Sequence, residues 1–229
     1  MKNVVVLISA NAEWRSVKAL YPQAKIETSR PGEWFVTICN SEPVSFFHGG
    51  WGKISAAATT QYVIDHFQPE LLINLGTCGG FEGRIESSTV ILVEKTIVYD
   101  IIEQMTDPDE AISHYSTNLD LAWLPESLPA IVRRGLLVSG DRDIVVDDIP
   151  MLVSRFGAVA ADWESGAIAW VANRNQVRCL ILRGVSDIVG AEGGEAYGNI
   201  GLFRQRTDEI MQKLTQQLGD WLQAASHQD

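Results

Sequence analysis

Short apolar runs recur along this chain and alternate with segments of helical periodicity. Val4–Ile8 and Leu71–Leu75 contain almost no polar side chain. Runs of that length are strand-sized, and their uniform apolarity fits strands covered on both faces. Cys179–Arg183, Leu136–Ser139, Ala158–Ala161, Val90–Val93 and Thr96–Tyr99 are further strand candidates. Trp34–Cys39 and Val44–Phe47 bracket Asn40-Ser41-Glu42-Pro43, which predicts a hairpin. Between these runs, Glu13–Leu20 (stopped near Pro22), Lys53–His66, Glu164–Asn173 and Leu202–Ala225 read as helices. This alternation predicts an α/β fold with helices on both faces of a sheet. No Ser/Gly/Pro-rich linker or internal repeat divides the 229 residues, so residues 1–229 read as a single domain.

Composition narrows the partners. The formal net charge is −11, which argues against a nucleic-acid backbone as partner; a small uncharged nucleoside is still compatible. Cys39, Cys78 and Cys179 are too few and too scattered for a disulfide framework or a zinc site. His48, His66, His114 and His227 show no metal spacing. No apolar run approaches the ~20 residues of a membrane span. Lys2, the run Val4–Ile8 and Ala10-Asn11-Ala12 imitate a signal peptide, but the basic and apolar parts are both at the short limit. The strand reading is preferred, and with it a cytoplasmic location.

In α/β sheets, ligands sit beyond the carboxyl ends of the strands. The segments there are Ser9–Glu13, His48–Lys53, Gly76–Gly80, Asp162–Ser165 and Gly184–Asp187. Together they hold acids, hydroxyls and two glycine-rich loops, a composition of sites rather than cores. Gly49–Lys53 and Gly76–Gly80 permit close approach of backbone to a ligand, with amides at a helix start free for an oxygen or anion. As simple strand-to-helix turns they would look the same. Glu13 is a candidate general base, or merely an acid in a first helical turn. Glu164 can accept two hydroxyls of a sugar, or sit on a helix dipole. Asp187 is a candidate general acid, or a turn or cap residue. Trp51 and Trp163 can stack on a flat ligand or pack in a core. Cys78 and Cys179 read as small hydrophobes.

Taken in order, six segments resemble the nucleoside phosphorylase/nucleosidase superfamily, and most of all its 5′-methylthioadenosine/S-adenosylhomocysteine nucleosidases. They are Val6–Glu13, Gly50–Ala57, Pro69–Gly80, Val138–Asp141, Asp162–Ala169 and Arg183–Asp187. The resemblance implies a three-layer α/β/α sandwich with a mixed central sheet, usually a homodimer. It implies cleavage of the N-glycosidic bond of a purine nucleoside, with no metal and no organic cofactor. Asp187 falls on the acid that protonates the purine at N7, Glu13 on the base that activates water, and Glu164 on the holder of the ribose hydroxyls. Trp163 falls on a methionine position against the sugar. Arg183 and Ser186 fall beside the acid, where they would position it. Thr77, Cys78 and Gly79 fall in the substrate-binding glycine-rich segment, as Trp51 and Ile144 fall on pocket positions.

The resemblance also carries differences. The family's V-E-M-E reads Ala161-Asp162-Trp163-Glu164 here, and Trp51 replaces a smaller aliphatic. Arg142-Asp143-Ile144 stands where an aromatic typically stacks on adenine. Gly190–Asn199, with four glycines, replaces the usual segment after the acid and reads as a lid. Phosphorylases of the superfamily carry an arginine where Asn74 stands, so water is preferred over phosphate as nucleophile; Arg15 leaves phosphorolysis open. A non-catalytic nucleoside-binding protein on the same fold is the remaining alternative.

Overall fold

Val4–Ile8 forms strand β1 and is buried at every position, as a strand covered on both faces must be. The computed structural model describes residues 3–226; Lys2 and His227 lie outside them. Along the chain follow α1 (Asn11–Leu20), β2 (Glu27–Thr28), β3 (Glu33–Cys39), β4 (Glu42–His48), α2 (Lys53–Phe67), β5 (Leu71–Phe81) and β6 (Val90–Val98). Then come α3 (Pro108–His114), β7 (Ser116–Asn118), β8 (Arg133–Ser139), α4 (Ile149–Phe156), β9 (Ala160–Asp162), α5 (Ser165–Arg174), β10 (Arg178–Gly190), β11 (Gly193–Gly194) and α6 (Ile200–Ser226). All the strands join one mixed sheet. Among its inner strands, β1 lies parallel to β4 and β5, and β10 lies parallel to β5. β6 pairs antiparallel with β10 and parallel with β8, and β9 pairs with both β8 and β5. The circuit β5–β10–β6–β8–β9 therefore closes on itself.

The alternation of β1 divides the core. Val4, Val6 and Ile8 pack with α1 and α6; Val5 and Leu7 pack with α2 and α5. The sheet is thus the middle of three layers, as the resemblance implied. On α6 the buried residues Ile210, Met211, Leu214, Leu218, Trp221, Leu222 and Ala225 follow helical spacing along one face. No helix among the described residues is long and apolar enough to cross a membrane.

Several expectations need correction. The hairpin turn is Asn40-Ser41, with φ of 49° and 68°, and Glu42-Pro43 already belong to β4. Two positive φ values in a two-residue loop match the twist of the strands they join. Val90–Val93 and Thr96–Tyr99 are parts of one strand with a register shift between Val93 and Lys95. Most important, Gly76–Gly80 is no loop. It is the second half of β5, paired with β10 as far as Phe81. β10 likewise runs through Ser186 and Asp187, so the acid lies inside a strand. Glycines in these two strands are there for lack of room. A Cβ on Gly184 would overlap Ile210 of α6, and one on Gly80 would crowd Ile85 and Val185.

Trp221 is among the largest fully buried side chains and sits in the layer between α6 and the sheet. Trp221→Ala is expected to lower the unfolding free energy by about 3–5 kcal/mol, read from chemical denaturation, because the cavity it leaves cannot fully collapse.

Candidate active site

At the carboxyl ends of β1, β5, β9 and β10 lies a cavity of about 660 Å³. Every candidate site residue named from the sequence lines it except Arg183. Its two ends differ in chemistry, and the backbone explains why.

At one end stands Glu13, the third residue of α1 and 1% exposed. The Ala10 N–H donates to its Oε2 (3.1 Å) and closes the helix start. The Thr77 N–H (2.6 Å) and hydroxyl (2.9 Å) donate to its Oε1. One carboxylate thus closes the helix start and lines the cavity.

Arg183 is fully buried beneath this end. Its Nη2 lies 2.9 Å from Asp162 Oδ2 and 3.8 Å from Glu164 Oε2; its Nη1 lies 3.8 Å from Glu13 Oε1. Asn74 and Ser165 accept its remaining hydrogen bonds at 2.8 Å. Its ion pairs are with this carboxylate group and not with Asp187, contrary to expectation. The reason is the strand pairing: Gly76 is the partner of Arg183 in register, and a Cβ there would overlap the guanidinium and come 2.9 Å from Glu13 Oε1. Glycine in β5 clears the path from β10 to α1. Asn74, read as the position of a phosphate-binding arginine, is buried and donates to the Leu7 carbonyl.

Glu164 precedes α5. Its Oε1 accepts the Gly52 N–H at 3.0 Å. The next amide, of Lys53, donates to Asp141 Oδ1 at 2.7 Å. The Gly52 and Lys53 amides at the start of α2 are therefore taken by side chains, and these two are not free for an anion. Lys53 also pairs with Asp100, tying this loop to the segment just after β6. Burial raises the Glu164 carboxyl to about 8, with Arg183 opposing and Asp162 and Glu13 reinforcing the rise. Trp51 and Trp163 flank Gly52 and Glu164 and stack on each other, ring centroids 5.7 Å apart. Trp51 is nevertheless 62% exposed, at the cavity mouth.

At the other end stands Asp187. A register shift between Val185 and Asp187 leaves Ser186 as the extra residue of a bulge. Val185 and Ile188, three apart, consequently pack in the same layer, while Asp187 and Val189 turn into the cavity. Ser186 itself points its hydroxyl at the Cys78 carbonyl (3.4 Å), so it shapes the strand that carries Asp187. Burial raises the Asp187 carboxyl above its usual value. The Ala196 N–H and Arg206 oppose that rise, and Glu195 adds to it. Cys78 is buried, and burial pushes its thiol well up, as for a packed hydrophobe. Ile144 lies over Gly79, where a Cβ would crowd its side chain.

The segment read as a lid, Gly190–Asn199, folds back over Asp187. Its Ala196 N–H donates to Asp187 Oδ1 at 2.7 Å. Arg206 of α6 holds it through Glu195 (2.6 Å) and the Ser186 carbonyl (3.1 Å). Arg206 and Tyr197 were not among the sequence candidates, and neither was Asp162. A lone arginine in a long polar helix face carries no local signal, whereas Asp162, two residues before Glu164, was visible as an acid at a strand end.

The sequence profile of the phosphorylase superfamily matches residues 4–218. A 5′-methylthioadenosine/S-adenosylhomocysteine nucleosidase of Thermotoga maritima is 30% identical over 151 residues, covering 66% of this chain and 68% of that protein. One of Marinomonas is 24% identical over 210 residues, covering 85% and 90%. The crystal structure of Streptococcus pneumoniae MTA/SAH nucleosidase in complex with 8-aminoadenine superposes with a TM-score of 0.78 at 23% identity, covering 98% of this chain and all of that one. The match runs from β1 into α6 and takes in every strand that lines the cavity, so the chain belongs to the phosphorylase superfamily.

Proposed function

We propose that this protein is a purine nucleosidase that hydrolyses the N-glycosidic bond of 5′-methylthioadenosine/S-adenosylhomocysteine-type nucleosides, the activity for which its relatives are named. The observation that carries the reading is the division of one cavity between a fixed carboxylate, Glu13, and a buried acid, Asp187. Breaking the bond leaves positive charge on the sugar and electrons on the base. Asp187 gives a proton to N7, so the purine leaves neutral. Water attacks the anomeric carbon, and Glu13 takes its proton. Three hydrogen bonds hold Glu13 in one orientation, which favours placing a single water. Glu164 receives the ribose hydroxyls, and the carboxylates around the sugar stabilise the oxocarbenium-like transition state. The two ends of the cavity keep donor and acceptor apart, which lets their proton affinities differ. Thr77, Cys78, Gly79 and Ile144 would wall the nucleoside, and Trp51 and Trp163 would lie beside the sugar. Arg183 is a positioning residue for Glu13 and Glu164, and Ser186 for Asp187. No metal or cofactor enters this scheme.

Phosphorolysis is the second reading. The cavity walls carry Glu13, Asp143 and Asp162 against the single guanidinium of Arg142, with Glu164 and Asp187 protonated in this scheme. Arg15 lines a neighbouring cavity with Lys18 and His48 instead. A phosphate dianion would meet like charge there, and water would not. The reading extends to a single domain acting in the cytoplasm as a homodimer.

The decisive experiment is incubation with methylthioadenosine, S-adenosylhomocysteine, adenosine and inosine, with and without phosphate. Free base plus free sugar at a rate indifferent to phosphate is expected; sugar 1-phosphate formed only with phosphate would overturn the hydrolytic reading. Asp187→Asn and Glu13→Gln should each lower kcat by about 10²–10⁴ while nucleoside binding, measured by calorimetry, persists. A protein that only binds would show no turnover in any form. Because Asp187 must carry a proton, kcat/KM should fall as pH rises through its raised pKa, and Asp187→Asn should lose that limb. Glu164 holds its proton more tightly folded than unfolded. Its contribution to stability is therefore complete below the ordinary carboxylate range and is lost as pH rises through about 8. Glu164→Gln should flatten the decline of unfolding free energy over that window.

A further inference from the structure

Beside Asp187 stands an aromatic ring that has no role so far. Tyr197 belongs to the segment that folds back after β10. A Cβ on Gly194 would overlap both Asp187 Oδ2 and the Tyr197 ring, so carboxylate and ring lie against the same glycine. The ring lines the cavity together with Ile144 and Val189. It is fixed at both ends: its N–H donates to the Gly194 carbonyl (3.0 Å), and its hydroxyl donates to the Ile144 carbonyl (3.2 Å). The segment beneath is itself pinned, by pairing of Val189 with Gly194 and by Glu195 bound to Arg206. Among the described residues no other ring packs against Tyr197, and it is 47% exposed. The Trp51–Trp163 pair is stacked on itself and stands beside Glu164. A rigidly held ring with a free face, next to the group that protonates a planar base, is a stacking surface.

We propose that Tyr197 is the base-binding residue of this site, its ring stacking on the purine that Asp187 protonates and its hydroxyl bond to Ile144 setting the ring's angle. The proposal rests on the nucleosidase reading. Specificity follows from its chemistry. A flat heteroaromatic base gains from the ring whatever its exocyclic groups, and the gain is independent of the 5′ substituent. Tyr197 thus selects for the purine as a class, and leaves the sugar end to Glu164 and the tryptophans.

The test compares Tyr197→Phe, Tyr197→Leu and Tyr197→Ala with the parent protein, in steady-state cleavage of methylthioadenosine and adenosine and in calorimetric binding of free adenine and hypoxanthine. Loss of the ring should raise KM and the Kd of the free bases by about tenfold, similarly for both nucleosides, with a much smaller change in kcat. Tyr197→Phe keeps the ring and loses only the hydroxyl bond that sets its angle, so its KM and Kd should fall between those of the parent and of Tyr197→Leu. Tyr197→Leu keeps the bulk and should behave like Tyr197→Ala, so a folding defect in one truncation does not decide the result. Leu or Ala variants that bind bases as tightly as the parent, or more tightly, would overturn the proposal and make Tyr197 a plug of the cavity. A parent protein that binds neither base would overturn it too. A parent that binds bases through Tyr197 but cleaves no nucleoside would instead refute the nucleosidase reading and leave the stacking surface standing.

Discussion

The Arg183 guanidinium, buried to the last atom among Glu13, Asp162 and Glu164, is the interaction on which the rest of the site depends. One cation faces three buried carboxylates. Part of that imbalance is relieved by protonation, since burial raises Glu164 and leaves it holding a proton near neutrality. The rest is relieved by hydrogen bonds. Thr77, Ser139 and Ser165 hydroxyls and the Ala10, Thr77, Gly52 and Ser165 amides all donate to these carboxylates. Removing the arginine alone would leave buried charge without a partner, which is far costlier than the pair is stabilising. The constraint reaches outward. Gly76 is required for the guanidinium to cross β5, Asn74 for an acceptor beside it, and the parallel register of β5 and β10 for both.

The opposite end of the cavity is built on a different device. A bulge at Ser186 turns one strand over, so that β10 delivers Arg183 to one set of carboxylates and Asp187 to another wall. Without the extra residue, Asp187 would share the face of Arg183 and Val185. The strand thus separates the positively compensated carboxylates from the acid that stands near the returning segment. Under the proposed function that separation matters chemically, because a proton donor and a proton acceptor in one cavity work together only if their environments differ.

Legibility followed how local each signal was. β1, α1, α2, α5 and α6 were readable because period and burial agree along one segment. Glu13, Glu164 and Asp187 were legible as candidates because they stand in segments that carry the resemblance, and the fold brings all three to one cavity. The lengths of β5 and β10 were not readable. Gly76-Thr77-Cys78-Gly79-Gly80 has turn composition, and only the neighbours filling the missing side chains, Arg183, Ile144, Ile85 and Val185, turn it into a strand. The partner of Arg183 was misassigned for a related reason. Only three residues separate it from Asp187 in the chain, but a bulge between them sends the two side chains to different places. Arg206 and Tyr197 reach the site from segments whose own sequence is that of a polar helix and a glycine-rich loop.

By itself the sequence determined the layered α/β plan, the family, and which carboxylates stand at the strand ends as candidates. Those follow from apolar period and from residue types that no other position can substitute. Only the tertiary structure decided which carboxylate faces which partner. That choice depends on strand register, on one bulge, and on glycines whose value lies in what occupies the space above them. None of these is a property of a single segment, because each arises where two or three distant stretches of chain compete for the same few ångströms.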